Sequence, residues 1–326
     1  MFNKRPKVVI TDCDHPSVEI EKEIFSEITP ELILAHCNTE DEVIKAAQDA
    51  EGIINQYAPI TRRVIESLKE CKVIARYGVG VDNIDIEAAT EYGIIIANVP
   101  DYCVDEVSTH AMALILACAR GITLLDGKIS EKMWDFTLAK PLFRTKGKTL
   151  GLFGLGKIAR AVARKASGFG FKIIAYDPYV SKVDDGIELV ELSKLLSNSD
   201  FISIHSPLTD ETRHLFGENK LRNMKKTAYL INTSRGPIVD EEALYKVLKK
   251  RWIAGAALDV MEKEPPDWEN LLPKLDNLII TPHISFYSEE SYAELKTKTA
   301  KAVLSVLKGG LPRAMVNPQA ANKKII

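Results

Sequence analysis

The sequence has almost no net charge and no basic cluster. Its 43 lysines and arginines nearly balance 45 aspartates and glutamates, which leaves a formal charge of −2 at pH 7. The basic residues are scattered, and runs such as Lys249-Lys250-Arg251 fall at the ends of helical patterns, where cations complement the helix dipole. A protein that binds nucleic acid needs a basic face. The composition therefore predicts no nucleic-acid partner.

Paired cysteines and long apolar runs are also missing. The five cysteines are an odd number without a C-x-x-C spacing, a pattern typical of buried thiols in a reducing compartment and not of disulfides or a zinc site. The longest apolar run, AMALILACA, is far shorter than a membrane span, and MFNKRPKVVITD has too little apolar length for a signal peptide. We expect a cytoplasmic protein without a metal and without a membrane partner.

The chain does contain, almost throughout, short apolar runs that alternate with helical patterns. Its 326 residues are enough for two domains. Continuously apolar runs joined by helical crossovers predict a parallel sheet covered on both faces. The first hundred residues contain five such runs: KVVIT, LILA, GIIN, KVIAR and GIIIAN. The helices predicted between them begin at about Ser17, cover Glu40–Ala47, cover Thr61–Leu68 with Thr61 as the cap, and lie within Asp85–Glu91.

The pattern changes after Pro100. Val104 to Arg120 is one long apolar helix pattern that ends at Gly121, and the polar, aromatic segment LDGKISEKMWDF follows. A second alternating series then leads to a final helix, predicted over about Glu289–Leu307. The strand-like runs of this second series are KTLGLFG, KIIAYD, DFISIH, AYLINT, IAGAALDV and NLIIT.

The two series predict an α/β fold of two doubly wound parallel-sheet domains. The second series lies between the first hundred residues and the last helix. We therefore predict one domain formed by residues 1–101 and 288–326, and a second domain, inserted into the first, formed by residues 102–287.

A glycine-rich turn, GLFGLGKIA, follows a strand and opens a helix of the inserted domain. In Gly154-x-Gly156-x-x-Ala159 the first glycine makes a tight turn, the second lets the backbone approach a pyrophosphate, and the small third residue lets helix and strand pack closely. The helix N-terminus favours the anion. Asp177, at the end of the next strand, is placed to bind the adenosine ribose hydroxyls, and its carboxylate would repel a 2′-phosphate. We therefore expect NAD, bound by a Rossmann domain that is inserted into a flavodoxin-like substrate domain.

Polar residues follow three strands of the Rossmann domain. Arg235 follows AYLINT, Asp259 and Glu264 follow IAGAALDV, and His283 follows NLIIT. Ligands of a doubly wound sheet bind beyond the carboxyl ends of the strands. Histidine suits proton transfer near neutral pH, a neighbouring Glu264 favours its protonated form, and arginine offers a planar fork of donors to a carboxylate. The set predicts hydride transfer from the cofactor coupled to proton transfer by the protein.

Six segments, in order along nearly the whole chain, carry a family resemblance. They are VGVDNIDIEAA, NVPDYCVDEVSTHAMALIL, TLGLFGLGKIARAVARKASGFGFKIIAYDP, INTSRGPIVDEEAL, AGAALDVMEKEP and TPHISFYSEES. The chain resembles the D-isomer-specific 2-hydroxyacid dehydrogenase family, in the branch that contains C-terminal-binding proteins and phosphoglycerate dehydrogenases. Phe286 stands where the C-terminal-binding proteins usually have tryptophan. The resemblance implies an NAD-dependent oxidoreductase that interconverts a D-2-hydroxy acid and its 2-oxo acid.

The resemblance also implies residue roles. His283 resembles the acid/base, Glu264 its carboxylate partner, and Arg235 the arginine that binds and polarises the 2-oxo acid. The turn Gly78-Val79-Gly80 resembles the site of the substrate carboxylate, with Val79 and Gly80 offering backbone N–H groups. Beside Gly154, Gly156 and Asp177, the implied cofactor contacts are Lys157, Ile158, His205, Thr212, Thr233 and Asp259.

Other residues receive weaker interpretations. His205 is as well explained by a structural role as by cofactor binding, and His110, inside the long helix, by packing or an interface. Tyr57, in NQYAPIT, is a candidate for contact with the substrate. His15, His36 and His214 receive no role. The family resemblance implies a homodimer through the NAD domain, formed by the helix from Val104 and the segment around Trp134, and a cleft between domains that closes to exclude water.

Two alternative functions remain open from the sequence. The first is a dinucleotide-gated interaction protein like the C-terminal-binding proteins, motivated by the region around Tyr287, Ser288 and Glu289. The second is phosphoglycerate oxidation for serine synthesis, for which Arg62, Arg63 and Arg76 are available cations. Formate oxidation is disfavoured because relatives with that activity have a glutamine–histidine pair at this place, whereas this chain has Glu264.

Overall fold

The chain divides into two compact units. The structure, a computed structural model, describes residues 5–14, 17–267, 269 and 272–325. Unit 1 comprises Met1–Tyr102 and Ser288–Ile326, and unit 2 comprises Cys103–Tyr287. Assigning substrate binding to one unit and cofactor binding to the other stays a prediction at this point. His15 lies outside the described residues.

Each unit contains one parallel sheet built from short, mostly buried strands. The strands found in the described residues are β1 (Lys7–Ile10), β2 (Glu31–Leu34), β3 (Gly52–Asn55), β4 (Val73–Arg76), β5 (Ile95–Ala97), β6 (Thr149–Phe153), β7 (Lys172–Tyr176), β8 (Ile187–Leu189), β9 (Phe201–Ile204), β10 (Tyr229–Asn232), β11 (Gly255–Leu258) and β12 (Leu278–Ile280).

Helices connect these strands, as parallel pairing requires. They are α1 (Glu19–Phe25), α2 (Glu40–Ala47), α3 (Arg62–Ser67), α4 (Ile86–Glu91), α5 (Val104–Arg120), α6 (Ile122–Ser130), α7 (Lys157–Gly168), α8 (Leu192–Asn198), α9 (Glu218–Arg222), α10 (Glu241–Lys249) and α11 (Glu289–Leu307). Short 3₁₀ turns occupy Phe136–Ala139, Gly236–Ile238, Leu272–Lys274 and Pro318–Ile325.

The sheet of unit 1 has the strand order β2-β1-β3-β4-β5, and every pair in it is parallel. This is the flavodoxin-like order, so the flavodoxin-like fold predicted for the first domain is confirmed in unit 1. The central strands β1, β3 and β4 are buried on both faces: Val9, Ile53 and Ile74 are fully inaccessible to solvent. Ile96, on the edge strand β5, is also fully buried. Burial on both faces explains why the strands read as continuous apolar runs in the sequence.

The first turns of the unit 1 helices are stabilised in different ways. Thr39 and Glu42 form a capping box at α2, in which Thr39 Oγ1 accepts from the Glu42 N–H at 3.4 Å and Glu42 Oε2 accepts from the Thr39 N–H at 3.0 Å. Thr61 occupies the N-cap position of α3, but its side chain makes no cap hydrogen bond. The predicted cap is therefore wrong in its chemistry. A β-bridge between Ile60 and Ile84 fixes the backbone that enters this helix instead.

A buried ion pair joins α1 to α11 inside unit 1. Lys296 Nζ lies 3.5 Å from Glu21 Oε2, and the two side chains are 6% and 0% exposed. The Tyr77 hydroxyl donates to Glu21 Oε1 at 2.7 Å, and Lys296 Nζ donates to the Ser17 carbonyl. Burial and the nearby Glu21 carboxylate raise the pKa of Tyr77, so its phenol stays neutral. Tyr77 directly precedes the turn that begins at Gly78.

The sheet of unit 2 has the order β12-β11-β10-β9-β6-β7-β8, again with parallel pairs throughout. The first six strands of this unit, β6 to β11, follow the Rossmann order, and β12 continues the sheet beyond β11. The order reverses between β6 and β9. Ligands of such sheets bind at that reversal. The sequence predicts six of these strands and misses β8, because Ile-Glu-Leu is a three-residue edge strand and forms no apolar run.

The helix α5 packs beside β10 and β11 of the unit 2 sheet, and α6 follows it. The helix α5 begins and ends where the sequence predicts, and Gly121 ends it with a φ of +60°. The helix α6 is missing from the prediction, because its exposed sequence carries no buried face. No single described helix is long and apolar enough to span a bilayer; α5 and α6 reach that length and hydropathy only together, with a bend of 65°.

Candidate active site

Two glycines shape the turn after β6 for different reasons. Gly154 has a φ of +85°, and a Cβ added there would lie 2.9 Å from the carbonyl group of His205 and from the Ser206 nitrogen. The backbone conformation and this close approach both require glycine. A Cβ on Gly156 would meet no protein atom within 4 Å. The protein's own packing thus does not require glycine at 156, which agrees with the predicted approach of a pyrophosphate there.

The helix α7 begins at this turn. Gly156 is its N-cap and supplies no side-chain cap, so the first backbone N–H groups, at Lys157 and Ile158, point to the end of the helix without a capping side chain. An anion is favoured at such an N-terminus. Ala159 is fully buried, which permits the close packing of α7 on the sheet.

Asp177 lies directly after β7, beside the glycine turn. Its Oδ2 accepts from the Leu155 N–H at 2.8 Å, and its Oδ1 accepts from the Tyr179 N–H at 2.9 Å. The two bonds fix the carboxylate at the edge where the sequence places the adenosine ribose. Each oxygen keeps a further lone pair for a ribose hydroxyl.

The side chains of His205 and Thr212 make their described hydrogen bonds within their own segment. His205 Nε2 lies 2.9 Å from Ser203 Oγ, and desolvation lowers the pKa of His205 to about 4, so the imidazole is neutral at pH 7. The Thr212 hydroxyl donates to the Pro207 carbonyl at 2.8 Å and closes a local turn. Their contacts with the cofactor stay predictions.

Two buried hydroxyls at the carboxyl ends of neighbouring strands have no partner in the part of the chain that the structure describes. They are Ser206 Oγ, after β9, and Thr233 Oγ1, after β10. An unsatisfied buried hydroxyl costs about 1–3 kcal/mol, so both fit a polar ligand that binds across these strand ends. Thr233 belongs to the predicted cofactor contacts. Ser206 does not, although its place directly after a strand at the switch point is a signal that the sequence contains.

The predicted acid/base pair is in direct contact. His283 Nδ1 lies 2.6 Å from Glu264 Oε2, and the two side chains are 33% and 37% exposed. Glu264 Oε1 accepts from the Met261 N–H at 2.8 Å. Burial would raise the pKa of Glu264, but the hydrogen bond and charge of His283, the Met261 N–H and the charge of Arg235 lower it. The carboxylate is therefore ionised at neutral pH and accepts the Nδ1 proton.

Arg235 is held in place by the end of β10. The Asn232 side chain donates to the Arg235 carbonyl at 2.9 Å and accepts from the Ser234 N–H at 3.0 Å, and Arg235 Nη1 donates to the Ser234 carbonyl at 2.8 Å. Asn232 is a positioning residue that the sequence interpretation misses. The effect of Arg235 on the pKa of Glu264 places the guanidinium charge near the acid/base pair.

The loops that carry Arg235 and Glu264 touch backbone to backbone. A Cβ added at Gly236 would lie 2.0 Å from the carbonyl carbon of Met261 and 2.4 Å from the Glu262 nitrogen. In the same loop as Glu264, Glu262 Oε1 lies 3.0 Å from His214 Nε2. His214, which has no role in the sequence interpretation, thus contacts the loop that carries Glu264.

Asp259 is buried, and its carboxylate is directed at the His283 loop. Its Oδ1 accepts from the Thr281 hydroxyl at 2.6 Å and from the Ile284 N–H at 3.0 Å, and its Oδ2 accepts from the Ser285 N–H at 2.9 Å. The implied contact of Asp259 with the nicotinamide stays a prediction. Its observed contacts make it the anchor of the loop.

The candidate substrate turn belongs to unit 1. Gly78 has a φ of +144°, and a Cβ there would lie 1.8 Å from Arg76 Nη1, so only glycine fits. The Asn98 side chain donates to the Val79 carbonyl at 2.6 Å. This leaves the nitrogens of Val79 and Gly80 as the groups predicted to bind a carboxylate, and that role stays a prediction.

Tyr57 belongs to a separate hydrogen-bond network of unit 1. Its hydroxyl donates to Asp14 Oδ2 at 3.3 Å, and the Tyr292 hydroxyl donates to Asp14 Oδ1 at 3.1 Å. Burial and the Asp14 charge raise the pKa of Tyr57 to about 12. Contact of Tyr57 with a substrate stays a prediction. Among the described residues, no group of three or more histidine, cysteine or acidic side chains could hold a metal ion.

Comparison with known proteins identifies the family. Residues 112–285 match the NAD binding domain of the D-isomer specific 2-hydroxyacid dehydrogenases. A glyoxylate reductase of Thermofilum pendens is 41% identical over 325 residues, which cover 97% of this chain and 95% of that protein. A D-3-phosphoglycerate dehydrogenase of Methanocaldococcus jannaschii is 41% identical over 98% of this chain, which spans 61% of that protein. The chain belongs to the D-isomer specific 2-hydroxyacid dehydrogenase family.

A solved structure agrees with this result. D-lactate dehydrogenase from Aquifex aeolicus, complexed with NAD and lactic acid, has a TM-score of 0.85 and 29% identity, and covers 95% of this chain and 99% of its own. The protein is an NAD-dependent enzyme that interconverts 2-hydroxy acids and 2-oxo acids. The predicted fold, cofactor and reaction class are confirmed.

Proposed function

We propose that His283 is the acid/base of this reaction, with Glu264 as its partner and Arg235 as the group that holds the acid. The contact of 2.6 Å between His283 Nδ1 and Glu264 Oε2 carries the proposal. Since Glu264 is ionised and accepts the Nδ1 proton, Nε2 is the ring nitrogen that exchanges a proton with the substrate oxygen. When bound, NADH supplies the hydride.

In the direction of reduction, the imidazolium of His283 donates its Nε2 proton to the oxygen that becomes the hydroxyl. Glu264 stabilises the positive ring before the transfer and fixes its orientation. The Arg235 guanidinium offers parallel N–H donors to the carboxylate and carbonyl of the 2-oxo acid. In oxidation the neutral ring accepts the same proton.

We propose a small 2-oxo acid as substrate, with its carboxylate on the N–H groups of Val79 and Gly80. The relatives named glyoxylate reductase support this class. The family comparisons support neither the interaction protein nor phosphoglycerate oxidation better than this activity. A panel of 2-oxo acids that includes glyoxylate, hydroxypyruvate, pyruvate and phosphohydroxypyruvate, followed by NADH absorbance, tests the proposal. Absence of turnover with every acid would refute it.

Cofactor choice provides a second test. We expect kcat/KM with NADH to exceed that with NADPH by about tenfold or more, because like charges about 4 Å apart near a protein surface repel by several kcal/mol before screening. The variant Asp177→Ala should bind NADH more weakly and lose most of its preference. Equal use of both cofactors by the wild-type protein would contradict the role of Asp177.

We propose a homodimer formed by α5, α6 and the segment around Trp134. None of the residues of α6 is buried, and the adjoining aromatic residues Trp134 and Phe136 are 92% and 74% exposed. Clustered apolar exposure of this kind marks an interaction surface. The family resemblance supports a second copy of the chain as the partner.

Light scattering of the purified protein tests the dimer. The double variant Trp134→Glu/Phe136→Glu is expected to shift the mass from dimer to monomer, since it places two charges in an apolar interface. Tyr92→Glu, at a residue that is 52% exposed on unit 1, is the control and should stay dimeric. A monomeric wild-type protein, or a dimeric double variant, would count against this surface.

We also propose a reducing, cytoplasmic setting. All five cysteines are free thiols. Burial raises the pKa of Cys118 to about 12 and also raises the pKa of Cys37, so both thiols are unreactive at neutral pH. Cell fractionation with antibodies against the chain tests the compartment.

A further inference from the structure

His110, in the middle of α5, contacts the segment that leads to His283. Its Nε2 lies 3.0 Å from Thr281 Oγ1 and 3.6 Å from Asp259 Oδ1. All of these residues belong to unit 2. The imidazole is partly buried, with 22% of its side chain exposed. The contact therefore joins a helix to a loop that lies 171 positions away in the chain.

The hydroxyl of Thr281 determines which way the hydrogen bonds run. Thr281 Oγ1 donates its single proton to Asp259 Oδ1 at 2.6 Å. The hydroxyl can therefore only accept from His110, and Nε2 of His110 must carry a proton. The result is a directed chain of donors, from His110 to Thr281 to Asp259. A side chain without an N–H at this point would leave the Thr281 oxygen with one bond fewer.

Asp259 in turn holds the loop around His283. Its carboxylate accepts the N–H groups of Ile284 and Ser285, and its backbone carbonyl accepts the His283 N–H at 2.7 Å. The loop needs such an anchor because His283 has a φ of +50°. A non-glycine residue in the left-handed region is strained by about 1–3 kcal/mol. Only surrounding contacts keep it there.

We propose that His110 is a positioning residue for His283, acting through Thr281 and Asp259. It donates to Thr281, which orients the Thr281 hydroxyl toward Asp259 and keeps both carboxylate oxygens on the loop. His283 then stays in the left-handed conformation in which Nδ1 meets Glu264. The inference rests on the proposed function, since it gives His110 a role only if His283 is the acid/base.

A purely structural histidine would behave differently. If His110 only filled space between α5 and the loop, a side chain of similar size would replace it without loss of rate. If it acts as a donor, the rate must follow the presence of an N–H at the position of Nε2. Phenylalanine keeps the ring shape and removes the donor, whereas glutamine keeps an N–H group at a similar reach.

The experiment compares four variants of the full-length protein. His110→Phe and Thr281→Val break the donor chain, and His110→Gln and Thr281→Ser keep it. We expect the first two to lower kcat for the best 2-oxo acid by about tenfold to a hundredfold, the range in which slight misplacement of a reacting group falls. We expect the second two to keep most of the rate. The Kd of NADH, measured by fluorescence, should stay unchanged in all four.

The double variant His110→Phe/Thr281→Val adds a test of coupling. Both changes interrupt the same chain of hydrogen bonds. The kcat of the double variant should therefore equal that of the single variant with the lower kcat, and should not fall by the product of the two separate losses. His36→Gln, at an exposed histidine of unit 1 without an assigned role, is the control and should behave as the wild type.

The outcomes separate this inference from the proposed function. If His283→Ala is inactive while His110→Phe has the rate of the wild type, the inference is wrong and the function stands. If His283→Ala keeps its turnover, the proposed role of His283 is wrong, and the inference about His110 is wrong with it. If His110→Phe and His110→Gln lose rate and thermal stability equally, His110 is a packing residue and the proposal is overturned.

Discussion

Replacing His283 with alanine is expected to lower kcat for 2-oxo acid reduction by about 10²–10⁴-fold, the share that a positioned acid/base contributes. The alanine side chain can neither carry the proton nor bond to Glu264, whose Oε2 lies 2.6 Å from His283 Nδ1. Hydride would then be transferred to a carbonyl without a proton donor. The measurement is stopped-flow loss of NADH absorbance at saturating acid.

The Kd of NADH separates chemistry from binding in this variant. It should stay near the wild-type value, because the fingerprint turn and Asp177 are untouched. Glu264→Gln should give a smaller loss, since the amide can still contact the ring but cannot stabilise its positive charge. Because the pKa of Glu264 is held below its ordinary value, the wild-type pair should persist as the pH falls toward that value. An alanine variant with full activity would overturn the assignment.

The second large effect is on stability. Lys296→Met is expected to lower the free energy of unfolding by about 3–5 kcal/mol, because it removes one partner of a buried pair and leaves the other charge without compensation. Glu21 is 0% exposed, so water cannot replace the lost ammonium group. Chemical denaturation, followed by far-UV circular dichroism, measures the change.

Two controls make this prediction specific. Lys298, two positions along α11, pairs with Asp101 and Glu294 at the surface and is 30% exposed; Lys298→Met should cost only about 0–1 kcal/mol. The double variant Glu21→Gln/Lys296→Met should recover part of the loss, because glutamine carries no charge and still accepts from Tyr77. Equal losses for the two lysine variants would show that the buried pair does not stabilise unit 1.

Much of the fold can be predicted from the sequence because its signals are local. The helices α5 and α11 have long apolar or well-capped patterns, and Gly121 and Ser288 mark their ends. The buried strands are continuous apolar runs because the sheets are covered on both faces. The glycine turn is predictable for the same reason, since Gly154 needs a positive φ that few other residues adopt.

The remaining features depend on contacts between distant segments. The strand β8 forms because it pairs with β7. Its three residues are too few to give an apolar or alternating pattern that would predict a strand. Thr61 has the right residue type for a cap, but the bridge from Ile60 to Ile84 determines the local backbone. The sequence predicts that Asp259 lies at the carboxyl edge of the sheet. Its hydrogen bonds to the Ile284 and Ser285 N–H groups depend on the fold of the His283 loop, and the sequence does not predict them.

The contact between Gly236 and Met261 has a consequence for redesign. Because main chain meets main chain there, the spacing between the loop of Arg235 and the loop of Glu264 is set by the backbone and cannot be changed by choosing other rotamers. Libraries that aim at a new oxo acid should leave residues 234–237 and 260–264 unchanged and vary the exposed side chains of unit 1, which we propose to bind the substrate. Such variants would keep the acid/base pair while their substrate specificity changes.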